Sequence, residues 1–68
     1  MSFVIRVRPA PGAEPFRAVF LAEDTTVAYR KHAMAFESEK GAEQYAGMIA
    51  KDNPQALFDV VPKNARLS

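Results

Sequence analysis

The chain has 68 residues, a formal net charge of +1 and no cysteine. A chain of this length is one domain with a thin core, burying roughly 60% of its unfolded surface. The missing cysteines exclude a disulfide framework and a thiolate metal site, and so small a charge gives no argument by itself for nucleic acid or an acidic membrane.

The first element is read from alternation. In residues 2–8, Phe3, Ile5 and Val7 share one parity and Val4, Arg6 and Arg8 the other, the period of a half-buried strand. Pro9, Pro11, Gly12 and Pro15 make residues 9–15 a loop of restricted freedom. Residues 16–22 read as a second strand, with Phe16, Ala18 and Phe20 on one face and Arg17, Val19 and Leu21 on the other. The two strands are expected to form a hairpin through the proline loop, and residues 23–26 are a polar turn.

Residues 27–36 admit two readings. Val27 and Tyr29 share a parity opposite to that of Met34 and Phe36, so a third strand needs a break near Lys31-His32. Tyr29, Ala33 and Phe36 also stand at helical spacing. The strand is favoured, because two strands and one helix give little core.

The segment 36–54 is the organising element, one amphipathic helix. Ser38 suits an N-cap, Glu37 and Glu39 lie where the helix dipole is positive, and Asn53-Pro54 ends the run. Ala42, Tyr45, Ala46 and Ile49 form the apolar stripe. Gly41 and Gly47 each forgo about 1 kcal/mol of helix propensity, so the helix depends on tertiary contacts. A short final strand covers 57–61, ended by Pro62, and residues 63–68 are expected to fray. The fold class is therefore α+β: a small, mostly antiparallel sheet of three to four strands with one helix on one face, in the order β-β-β-α-β. Residues 1–62 form the single domain. Its expected core is Phe3, Ile5, Val7, Phe16, Phe20, Phe36, Ala42, Tyr45, Ile49 and Val60.

The chemistry is sparse. His32 is the single histidine, and a zinc site would need carboxylates and a second subunit. Glu39 and Glu43 sit one turn apart on an outer helix face, where no pocket can form around them. No phosphate loop surrounds Gly12, Gly41 or Gly47. No catalytic residue, metal or cofactor is expected, and the chain reads as a non-enzyme. The remaining signal is basic and apolar. Arg6 and Arg8 share a face, Arg17 is placed beside them, and Val4, Val19 and Leu21 are interspersed, a mixture that suits a protein interface. The bland alternative is a solvated face whose arginine stems cover their neighbours.

The run Ala33-x-x-Phe36-x-Ser38-x-x-x-Ala42, ahead of a strand ending Val60-Val61-Pro62, resembles a pattern in short proteins encoded by bacteriophages and prophages. The chain departs from it at Gly41, where a glutamate is common. The resemblance implies a compact accessory protein that works by binding; some such proteins inhibit host RNA polymerase or CRISPR effector complexes. The expected function is a small protein-binding module of this kind, an inhibitor or modulator of a host complex. Its binding residues are Arg6, Arg8, Arg17 and Val19, with Pro11 and Gly12 as the rim. A nucleic-acid-binding domain using the same arginines and a structural homo-oligomer are the alternatives. No apolar run reaches membrane-spanning length, and nothing at the start of the chain reads as a signal peptide, so the expected location is cytoplasmic.

Overall fold

The structure, a computed structural model, describes residues 2–23 and 25–63. Strand β1 spans Phe3–Pro9, β2 Val19–Leu21, β3 Thr26–Val27 and β4 Ala56–Pro62, and helix α1 spans Glu39–Asp52. All pairings are antiparallel and the strand order is β3-β2-β1-β4. The expected α+β architecture, with one helix packed on one face of a small sheet, is the one observed.

Helix α1 begins where its cap allows. The Ser38 hydroxyl accepts the Gly41 N–H at 3.1 Å, which satisfies one of the orphan donors of the first turn. At the other end Asn53 donates its side-chain amide to the Ile49 carbonyl at 2.9 Å, and Pro54 prevents continuation. The buried face carries Ala42 and Ala46, whose small side chains bring the helix close to Ile5 on the sheet. Phe3, Leu21, Phe36, Tyr45, Phe58 and Val60 pack around that centre, with the Phe36 and Tyr45 rings 5.4 Å apart. Residues directly opposite in an antiparallel pair share a face. Phe3, Ile5 and Val7 of β1 therefore lie with Phe58 and Val60 of β4 beneath α1, as their alternation predicts.

The second strand corrects the sequence reading in length and in register. It comprises Val19–Leu21, not residues 16–22. Val19 stands opposite Val7 and Phe20 opposite Arg6. Val19 and Leu21 thus belong to the helix side, and Phe20 to the far face with the arginines. Pro9 supplies the physical reason for the shortening. Phe3 exchanges two backbone bonds of 2.7 Å with Phe36, and Ser2 accepts the Lys63 N–H at 2.8 Å. Odd-numbered β1 residues therefore turn their backbone groups toward the β2 side and even-numbered ones toward β4. Extending the β1–β2 ladder would set Pro9 against Arg17, where an N–H is required and proline has none. The ladder stops at Val7–Val19. Phe16, expected in the core, is left 42% exposed.

Segment 27–36 resolves into both of its readings in part. A two-residue strand at Thr26–Val27 pairs with β2, a 3-10 turn follows at Arg30–His32, and Phe36 then bridges Phe3. The break falls at Lys31-His32, which restores Phe36 to the core side. Met34 donates to the Leu21 carbonyl at 3.0 Å, so this connection is tied to both inner strands. Val4 is fully buried although it lies on the face opposite α1. That face is therefore covered at its Phe3 end, where the connection carries buried Ala33 and sets the Arg30 guanidinium 5.3 Å from the Phe20 ring. Of the tail expected to fray, Lys63 is bonded to Ser2, and residues 64–68 lie outside the described residues.

Candidate functional site

The residues singled out from the sequence fall into three places. Arg6 and Arg8 lie together on the face opposite the helix, as their spacing requires. Between them stands Asp59 of β4, directly opposite Arg6. Arg8 donates its Nε–H to Asp59 Oδ2 at 2.6 Å, and the nearest guanidinium nitrogen of Arg6 is 3.7 Å from the same oxygen. One carboxylate is thus shared unequally by two guanidinium groups. The Arg6 Nε–H is buried with no acceptor among the described residues. Both arginines and Asp59 keep about a third or more of their side chains in solvent (38%, 43% and 32%), so the pair adds only about 0–1 kcal/mol to stability. Leu57, on the same parity as Asp59 and opposite Arg8, is an exposed apolar neighbour of this cluster.

Arg17 and Val19 lie elsewhere. With β2 in its observed register they border a groove of about 410 Å³ on the helix side, whose apolar wall includes Val7, Phe16, Ile49 and Phe58. The expected single site of Arg6, Arg8, Arg17 and Val19 is therefore split across the two faces of the sheet. The cause is the one-residue difference in register, which moves every side chain of a strand to the other side. Pro11 and Gly12 are exposed at the end of β1. The Ala13 N–H reaches the Ala10 carbonyl at 3.0 Å, and Gly12 has φ of 85°. Proline followed by a glycine of positive φ is the requirement of a type II turn, so this rim is a built turn.

Sequence reasoning missed Asp59. Its signal was present: a lone charge inside Leu57-Phe58-Asp59-Val60-Val61, on the parity that faces away from the helix. His32 is exposed, with Tyr29 edge-on to it at 6.4 Å. No helix among the described residues is long and apolar enough to cross a membrane. Compared with family models, curated proteins and solved structures, the chain matches none.

Proposed function

We propose that the protein is a non-enzymatic binding module whose sheet face opposite α1, around Arg6, Arg8 and Leu57, docks an acidic patch on a protein partner. The observation that carries this reading is the unequal sharing of Asp59. Arg8 takes the carboxylate, and Arg6, whose nearest nitrogen stays 3.7 Å from it, keeps 38% of its side chain in solvent. A carboxylate from outside would complete that arrangement with charge-assisted bonds. Exposed Leu57 adds the apolar component of an interface. The resemblance of the strand-to-helix junction to phage-encoded accessory proteins points to the same mode of action, binding without chemistry. Phe20, an aromatic ring on this face, lies beneath the Arg30 guanidinium and so is not a free platform for a single-stranded nucleic acid to stack on.

The test is capture from a bacterial lysate, with and without nuclease, by the native chain and by an Arg6→Gln/Arg8→Gln variant. Charge reversal would crowd two further carboxylates around Asp59, so the neutral pair is the cleaner change. Capture that survives nuclease and is lost in the variant, with unchanged circular dichroism, is the expected result. Capture that the variant retains overturns the site. Capture abolished by nuclease transfers the arginines to a nucleic-acid footprint, whose affinity would fall steeply with salt.

A further inference from the structure

Strand β4 is an outer strand of the sheet, paired with β1 alone among the described residues. Even-numbered β1 residues point at β4, and Leu57, Asp59 and Val61 answer them across the ladder. The intervening Phe58 and Val60 therefore turn their N–H and C=O groups to the free edge. Both ends of this open row are stopped. The Ala56 N–H is taken by the Asn53 carbonyl at 3.2 Å, and Pro62 has no N–H to offer. What remains is a short run with donors at Phe58 and Val60 and acceptors on the same residues. Under a two-fold axis such a run is its own complement, each donor meeting an acceptor of an antiparallel copy. The opposite edge, β3, has two residues and offers no comparable row.

The flank of the edge fits the same occupant. A groove of about 410 Å³ runs between α1 and β4, lined by Phe58, Asp59 and Val60 of the strand and by Glu43, Ala46, Gly47 and Ala50 of the helix. A Cβ on Gly47 would meet nothing within 4 Å. The chain's own packing therefore does not require glycine there, although glycine forgoes about 1 kcal/mol of helix propensity. Joining two sheets edge to edge places both helices on one side. Strands spaced about 4.8 Å apart would set two helices that each overlie β1 and β4 about 10 Å apart, the upper end of ordinary helix packing distances. Gly47 and Ala50 would then lie at the contact.

We propose that a second copy of this chain docks on β4, continuing the sheet by antiparallel pairing at Phe58 and Val60 while the two α1 helices pack through Gly47. This goes beyond the partner-binding face, which lies on the other side of the sheet, and its test does not depend on any partner. Sedimentation equilibrium from micromolar to near-millimolar concentration is expected to show the mass rising from one chain to two. Amide exchange at Phe58 and Val60 should slow over the same range while exposed loop amides stay unchanged. Gly47→Lys, whose Cβ meets nothing within 4 Å, should weaken association at least about tenfold, or about 1.4 kcal/mol, with the helical signal intact. Val60→Pro, checked for folding by circular dichroism, removes an outward donor and leaves the bonds to β1 in place; it should act in the same direction. A single-chain mass throughout overturns the proposal. So does a dimer that both variants leave unchanged, or one in which the Phe58 and Val60 amides exchange as freely as in the monomer.

Discussion

Gly12 and Asp59 each have a single-residue role that a substitution can test. Gly12 holds φ of 85° at the turn that closes the loop after β1. A side chain there is strained even though the space around it is open. Gly12→Ala should cost about 1 kcal/mol, read as a lower denaturant midpoint with an unchanged slope. Asp59 acts differently, because it holds two guanidinium groups together at a partly exposed site. Asp59→Asn should change stability by less than about 1 kcal/mol. It should nevertheless tighten capture of an acidic partner at low salt, since Arg6 and Arg8 then lose the Asp59 counter-ion. Equal affinities for the native chain and the variant would mean that the partner does not read this charge.

At the scale of elements, proline and glycine placement decides what forms. Pro9→Val restores the missing N–H opposite Arg17, so amide protection on hydrogen exchange should appear at residue 9 and at Arg17, just ahead of the observed start of β2. Within α1 the two glycines should behave unequally. Gly47→Ala meets open space and should gain up to about 1 kcal/mol, measured by thermal melting of dilute protein. Gly41→Ala would set its Cβ 3.0 Å from the Ser38 hydroxyl, so it should gain less or lose by disturbing the cap. These effects also explain what the sequence made legible. The helix was readable because cap, stripe and terminator agree at Ser38, Ala42–Ala46 and Asn53-Pro54. Strands β1 and β4 were readable because one parity is apolar and carries no charge. The register of β2 was not, because Val19, Phe20 and Leu21 are all apolar and no period distinguishes their faces. Alternation carried over the whole of 16–22 then put Phe20 on a face with Phe16 and Ala18, whereas the ladder is set from outside the strand, by Pro9. The candidate site inherited that error. Arg6 and Arg8, on a legible strand, were placed together, while Arg17 and Val19, on the illegible one, were not where the alternation had put them.

At the scale of the molecule, the sheet has one face committed to α1 and another covered only in part. Ile5 and Val4, adjacent on β1 and both fully buried, sample the two faces. A domain of this size has a stability on the order of 3–10 kcal/mol, and truncating a buried isoleucine to alanine costs about 2–5 kcal/mol. Ile5→Ala should therefore broaden or abolish the cooperative melt. Val4→Ala removes two methyl groups and should cost about 2 kcal/mol, which is measurable only if the connection carrying Arg30 and Ala33 covers the far face there. A change near zero would mean that the cover over Val4 contributes little to stability. If the cost is found, the free part of the face is confined to the Arg8 and Leu57 end of the sheet, because the Phe3 end is already occupied by the chain itself. The partner footprint then has a defined edge. Leu57→Ser, at an exposed position outside the core, should weaken capture several-fold with little change in the melt. A substitution at exposed Tyr29, on the connection, should leave capture as it is. Equal losses at Leu57 and Tyr29 would place the partner across the connection and displace the docking surface from Arg6 and Arg8.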